Sequence, residues 1–350
     1  MTLQVDKNIS IAKSLDSNFY TDQKYFDLTL SKIFNYSWQL ISHKSNLGKN
    51  NIYPFTFLKD SINEPLVIAQ SDDKIECLSN VCTHRGHIIN QKKCNLKKMR
   101  CPYHGRSFDL DGTMDKMPGF DGAKNFPSKN DNLKKFHILD WGNFIFASIN
   151  PQIKITDTLK DISNRLKDFN LKNIAYSAEH SKTYNINANW ALYCENYLEG
   201  LHVPYVHKKL AGEIDIKSYK TKLLDNGVLQ YTENRDNDTY AYYYWIFPNL
   251  MLNFYDWGLS INIVEPITAN KTRIKFLSYP LSDKNSDWPP RFVLDKLIDE
   301  IDRVEMEDEE VVLNVQKGIE SKFYTSGRYS PKHEKGTHYF HRLICQYINQ

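Results

Sequence analysis

The pattern formed by Cys82, His84, Cys101 and His104 constrains the fold of this chain more than any other feature. It reads C-x-H, a gap of sixteen residues, then C-x-x-H. Two paired short loops, each with one thiol and one imidazole, can hold a single metal or a cluster. Zinc in a Cys2His2 site is the ordinary alternative. Each loop gives one ligand of each type, which suits a cluster with one iron on two sulfurs and one on two imidazoles. The surroundings also differ from the ββα of a zinc finger. From Trp38 to about Asn150, short apolar-alternating runs (WQLISH, PFTFLKD, PLVIAQ, KIECLSN, FDLDG, NFIFASI) are cut by turn signals such as Ser71-Asp72-Asp73. This predicts a small β domain.

Six cysteines in a chain with no secretory signature do not read as a disulfide framework. Cys77, Cys94, Cys194 and Cys345 are expected to pack as small hydrophobes, and His87 to be structural. The formal net charge is only +3, from 45 Lys and Arg against 42 Asp and Glu, which argues against a dedicated nucleic-acid binder. No stretch approaches the ~20 apolar residues that span a bilayer. The opening MTLQVDKNISIAKSLDSNFY lacks the basic head and apolar run of a signal peptide. A cytoplasmic protein with no membrane partner is expected.

A second constellation lies in Asn189–His207, NWALYCENYLEGLHVPYVH. Glu199 and His202 are three apart and would share a helix face. His202 and His207 are five apart, about 140° out of alignment on a regular helix. Pro204 removes a backbone donor, so the helix is expected to bend or end there, and a distorted segment can bring both imidazoles onto one ion. A long helix is predicted after Trp288-Pro289-Pro290, with Leu294, Leu297, Ile298, Ile301, Val304, Val311, Val312, Val315 and Ile319 forming its apolar stripe. Asp308 falls about 20° from Ile301, inside that stripe, while Glu307 and Glu310 point away from it. A carboxylate on a buried face is costly unless it is paired or bound to metal. Two His and one carboxylate make the facial triad of mononuclear Fe(II) oxygenases. Glu305, at the stripe edge, competes with Asp308 for the third place.

These motifs carry a resemblance. CTHRGH and CPYHGRSFDLDG closely resemble the cluster loops of Rieske proteins. The extra cysteine that respiratory Rieske proteins carry in each loop, which forms a disulfide, is replaced here by Gly86-His87 and Tyr103. NW…ENYLEGLHVPYVH and EDEEVVLNVQKGIESKFYTSGRYSP are similar to the iron-binding segment and C-terminal helix of Rieske non-haem iron oxygenase alpha subunits, especially the choline and carnitine monooxygenase-like branch. The resemblance implies a 2Fe-2S cluster on Cys82, His84, Cys101 and His104. It implies mononuclear Fe(II) on His202, His207 and Asp308, with Asn196 near the iron and Glu199 as the bridge between sites. Most of the family has Asp at the bridging position; the carnitine-type branch has Glu.

The implied fold is α+β: residues 1–37 an N-terminal helical segment packing on the catalytic domain, 38–150 a Rieske domain, and 151–350 a helix-grip (START-like) catalytic domain with an antiparallel sheet. The implied activity is that of a terminal oxygenase. It uses O2 to hydroxylate or N-dealkylate a small molecule, with a quaternary ammonium compound as candidate. No dinucleotide fingerprint is evident, so NAD(P)H and flavin belong to a separate reductase, with or without a ferredoxin. The family assembles as trimers, with electrons crossing between neighbours through His104, Glu199 and His202. Two alternatives stand beside this reading, an aromatic-ring dihydroxylating dioxygenase and a non-catalytic Rieske electron-transfer protein. The aromatic residues of the late strands, Tyr244, Phe254 and Trp257 among them, are candidates for a box that holds a cation; sheet packing explains them equally well.

Overall fold

The computed structural model describes residues 3–71, 74–169, 171–209, 218–233, 239–281 and 291–350. The chain divides into two compact units, Trp38–Pro151 and the pair of segments Met1–Ser37 and Gln152–Gln350.

The Trp38–Pro151 unit is built from β1 (Gln39–His43), β2 (Ile52–Phe57), β3 (Glu64–Ser71), β4 (Lys74–Ser79), β5 (Met99–Arg100), β6 (Ser107–Phe108), β7 (Met114–Lys116), β8 (Lys135–Trp141) and β9 (Phe144–Ser148). Six strands form one antiparallel sheet in the order β1-β9-β8-β4-β3-β2, and β5-β6-β7 form a small second one. Asp72 and Asp73 of the expected β3–β4 turn lie outside the described residues. Inward positions Ile52, Val67, Ala69, Leu78, Met99 and Phe108 pack into one core, and Cys82 and Cys101 belong to it. The cluster loops are therefore rooted in apolar packing.

The other unit begins with two helices, α1 (Asn18–Thr21) and α2 (Gln23–Lys32). Asp22 caps α2 by accepting the Lys24 backbone N–H at 2.9 Å, and Tyr25 and Phe26 are buried. Then follow α3 (Thr156–Arg165), β10 (Ser177–Ile186), α4 (Trp190–Tyr197), α5 (Val203–Val206), β11 (Lys220–Leu224), β12 (Gly227–Glu233), β13 (Thr239–Ile246), β14 (Leu250–Tyr255), β15 (Gly258–Thr268), β16 (Lys271–Pro280), α6 (Arg291–Ile319) and α7 (Lys335–Ile348). The seven strands make one antiparallel sheet, β10-β16-β15-β14-β13-β12-β11. Register fixes its faces: Tyr243 pairs with Asn253, and Asn253 with Ser260, so these share one face, while Tyr244 and Phe254 lie on the other.

α6 is the long helix expected from the apolar stripe. Leu294, Ile298, Val312 and Ile319 are buried, but Val315 is 41% exposed and does not belong to the packed face. The Trp288-Pro289-Pro290 start lies outside the described residues. A further helix, α7, follows it, which the sequence reading did not anticipate. Its Phe340 meets Trp190 at 5.5 Å and Trp245 at 5.1 Å between ring centroids, both T-shaped. Each such side chain contributes roughly 1.5–3 kcal/mol by burial. No helix among the described residues is long and apolar enough to cross a membrane.

Candidate metal centres

The two cluster loops repeat one backbone pattern. The Cys82 N–H donates to the His87 carbonyl (2.8 Å) and the Gly86 N–H to the Cys82 carbonyl (3.0 Å); the Cys101 N–H donates to the Arg106 carbonyl (2.8 Å) and the Gly105 N–H to the Cys101 carbonyl (3.0 Å). Both turns need a left-handed residue, supplied by Gly86 at φ 70° and Gly105 at φ 77°. The folded loops bring the Cys82 and Cys101 thiols to each other and the His84 and His104 imidazoles to each other. Burial chiefly pushes the Cys82 thiol up; the His84 backbone N–H bonded to it opposes this, and the adjacent Cys101 thiol adds to it. The His84 and His104 rings stand 4.8 Å apart. His84 Nδ1 is buried without a hydrogen-bond partner, and burial, then the charges of His104 and Arg106, lower its pKa. A neutral imidazole with an unpaired nitrogen, beside a second imidazole and two touching thiols, fits a group bound by two sulfurs and two nitrogens.

The second site is assembled where α4 stops. Asn189 caps α4 through its Oδ1, which accepts the Ala191 N–H at 3.0 Å. The helix ends at Tyr197, and α5 starts only at Val203. Pro204 therefore does not break a helix; it sits in the first turn of α5, where a missing N–H is harmless. Glu199 and His202 likewise lie in the link between helices, not on a shared helix face. The link is shaped by Glu199, whose Oε2 accepts the backbone N–H groups of Leu201 and His202. A Cβ at Gly200 would meet the Tyr219 ring at 2.8 Å, so a larger residue here would force that ring to shift.

Glu199 Oε1 lies 2.5 Å from His202 Nδ1, which makes Nδ1 the donor and leaves Nε2 to face Asp308. Asp308 Oδ1 is 3.5 Å from His202 Nε2 and 2.9 Å from His207 Nε2. Donor atoms of His202, His207 and Asp308 all lie within 4.8 Å of one another, close enough to share one metal ion. His207 is buried, with 1% exposure. That burial lowers its pKa, but the Asp308 and Glu307 carboxylates outweigh it and hold the imidazole above its ordinary value. A divalent ion would take the place of that proton. A nitrogen, nitrogen, oxygen donor set of this kind fits Fe(II) with open positions.

Comparison with known proteins identifies the domain family around each centre. Residues 37–127 match the family described as Rieske [2Fe-2S] domain, and residues 174–226 and 214–350 match the ring hydroxylating alpha subunit (catalytic domain). The chain belongs to the Rieske oxygenase alpha subunits. It is 30% identical to the chloroplastic choline monooxygenase of Beta vulgaris, over 93% of this chain and 75% of that protein. It is 26% identical to the carnitine monooxygenase oxygenase subunit of Escherichia coli K12, over 96% of this chain and 94% of that one. The crystal structure of the quaternary ammonium Rieske monooxygenase CntA with L-carnitine shares the fold, with a TM-score of 0.81 at 24% identity and 97% coverage of each chain. As a Rieske oxygenase the chain is an oxidoreductase, and its two domain types imply a Rieske cluster and a mononuclear iron.

In this Rieske oxygenase Glu307 does not point away, as helix phase alone suggested: its Oε2 is 2.7 Å from His207 Nδ1. Glu305 lies apart from the His–His–Asp group. Its carboxyl accepts from the Tyr193 hydroxyl, from Tyr184 at 3.5 Å and from Asn262 Nδ2 at 3.0 Å. Though the residue keeps some exposure, desolvation of the carboxyl, with the Asp308 charge, raises its pKa to about 7 against the hydrogen bonds that favour ionisation. Asn196 is half-buried on α4.

Of the aromatic candidates, Tyr244 and Phe254 meet edge-on with centroids 6.1 Å apart, but Trp257 packs elsewhere. Tyr244 donates to Asp161 Oδ2 at 2.7 Å and accepts from Arg165 Nε at 3.2 Å, and Phe254 packs on Phe169. Both thus face α3 and the chain just after it. α4 and α6 bond to the opposite face, Tyr197 to Asn253 and Glu305 to Asn262. Trp257 stacks on Tyr255 at 5.3 Å and packs on Leu294 and Ile298. On the α4 side of the sheet, Tyr243 and Tyr255 form an aromatic pair with centroids 6.0 Å apart.

Proposed function

We propose that this chain is the oxygenase component of a monooxygenase that hydroxylates or N-dealkylates a quaternary ammonium compound or a similar amine. O2 is the co-substrate. Electrons come from a separate reductase carrying flavin and NAD(P)H, directly or through a ferredoxin, and the working unit is a cytoplasmic homotrimer. What supports this most is the end-to-end match, over 96% of this chain and 94% of the other, with a carnitine monooxygenase oxygenase subunit.

We read Cys82, His84, Cys101 and His104 as the cluster ligands and His202, His207 and Asp308 as the iron ligands. Bound there, Fe(II) supplies O2 activation and the cluster supplies single electrons. The protein residues do the rest. Glu199 and Glu307 each hold an Nδ1 proton, so that His202 and His207 present Nε2 lone pairs in fixed orientations. In a trimer, Glu199 would also accept the ring N–H of His104 of the partner subunit and so join the two sites. Tyr243 and Tyr255 offer π faces on the sheet side that meets α4, the chemistry that attracts a quaternary nitrogen.

A single-turnover assay tests this without the unknown reductase. The purified, chemically reduced protein is given O2 and a pool of quaternary ammonium and aromatic compounds, and products are read by mass spectrometry. An amine that gains one oxygen, or loses a methyl as formaldehyde, is the expected product. A cis-diol from an aromatic ring would move the chain to the dioxygenase reading, and no product with iron-loaded protein would favour a non-catalytic electron carrier.

A further inference from the structure

Arg106 is charged, almost wholly buried, and lies two residues beyond His104. The residue is 2% exposed. Its Nη1 donates to Thr83 Oγ1 at 2.8 Å and to Asp131 Oδ1 at 3.3 Å. Thr83 Oγ1 in turn donates to the Asp131 carbonyl at 2.7 Å. The guanidinium carbon stands 5.7 Å from the Phe120 centroid and 5.2 Å from the Phe126 centroid. Phe120 also packs edge-on against His84. Nε of Arg106 is buried with no partner. Burying a guanidinium with an orphaned donor is expensive, and nothing in the packing of Phe120 and Phe126 requires a charge.

Two features give that charge a use. Arg106 and Thr83 stand in different cluster loops, and their bond ties the loops to each other and to the turn that carries Asp131. Among the described residues all six cysteines are free, so no disulfide ties the loops. The guanidinium is also close enough to act electrostatically on both Cys82 and His84. A cation held there, in poorly screening surroundings, favours the electron-richer state of whatever the four ligands bind.

We propose that Arg106 is a positioning residue of the cluster site, a polar staple between the two loops whose buried charge also raises the reduction potential of the cluster. This rests on the reading of Cys82, His84, Cys101 and His104 as cluster ligands. Asp131 is the counter-charge and works in the opposite sense.

The test is a redox titration of the intact, cluster-loaded chain at one fixed pH, followed by its visible absorption. Arg106→Gln is expected to shift the midpoint potential down, Asp131→Asn to shift it up, and Arg106→Lys to stay near wild type. Thr83→Val keeps the charge and removes the staple; it is expected to lose iron and sulfide to a chelator faster than wild type while its potential moves less than that of Arg106→Gln. If Arg106→Gln cannot hold a cluster, the sign for Asp131→Asn and the position of Arg106→Lys decide. An unchanged or lower potential in Asp131→Asn, or an unchanged or raised one in cluster-loaded Arg106→Gln, overturns the proposal. A wild-type chain with no acid-labile sulfide would instead sink the ligand reading.

Discussion

His207 Nδ1 lies 2.7 Å from Glu307 Oε2. Glu307 is also held by Arg303 one turn back, at 3.3 Å. The contact fixes His207 as an Nδ1–H donor and turns Nε2 toward Asp308. Losing such a partner for a metal-binding imidazole typically costs about 10–100-fold in metal affinity. Glu307→Ala is therefore expected to weaken mononuclear iron binding by that factor in chelator competition, with acid-labile sulfide unchanged. Iron affinity equal to wild type would mean that the contact is incidental.

Asp308→Ala removes the one carboxylate among the described residues that reaches both imidazoles, at 3.5 Å from His202 Nε2 and 2.9 Å from His207 Nε2. Two imidazoles alone hold Fe(II) poorly. The variant is expected to keep its sulfide and its cluster colour, lose the mononuclear iron, and give no product in single turnover. Glu305→Gln should keep that iron, which separates the two acids weighed for this place.

Glu199→Gln keeps an acceptor for the Leu201 and His202 backbone N–H groups, so the link between α4 and α5 should hold its shape. It loses the charge paired with His202 Nδ1. Both metals are expected to stay while reductase-driven turnover falls by most of its value. Normal turnover in a metal-replete Glu199→Gln protein would end the bridging role.

Tyr255→Leu removes a π face beside Tyr243 and Trp257, whereas Tyr255→Phe retains it. A cation–π contact is worth roughly 0.5–2 kcal/mol, or about 2–30-fold in binding. For an amine substrate the Leu variant is expected to raise KM by that factor with a smaller change in kcat, and the Phe variant to stay near wild type. Equal effects in both would point to the hydroxyl.

The two loops proposed to hold the cluster were legible because each Cys–His pair lies within a few residues, so a local turn alone brings its members near one another. Asp308 was legible through helix phase, since α6 is regular across it. Glu307 was missed for the same reason: phase gives the direction of Cβ, not the reach of a long side chain toward His207. The break before His202 was misplaced because a carboxylate, Glu199, shapes the link, and side-chain-to-backbone bonds leave no periodic trace. That Tyr244 and Phe254 face away from α4 and α6 was not legible, because strand alternation separates two faces without saying which one meets those helices. The helix α7 escaped because its burial depends on Trp190 and Trp245, far away in sequence.

Glu305 gives a prediction about stability. Desolvation sets its folded pKa near 7, above the ordinary value of 4.5. Between these values the folded chain holds a proton that the unfolded chain releases, so stability falls as pH rises through this window. The residue is partly exposed, so the loss is discounted to the order of 1–3 kcal/mol. Glutamine cannot ionise, yet it can still accept from Asn262 and meet the Tyr193 hydroxyl. Glu305→Gln is expected to match wild type near pH 4, and to exceed it by an amount that grows to pH 7 and then levels off. Denaturant unfolding of both proteins across pH 4–8, with iron removed, measures this difference. A constant gap would show that Glu305 enters the folded state already ionised, held by Tyr193 and Asn262.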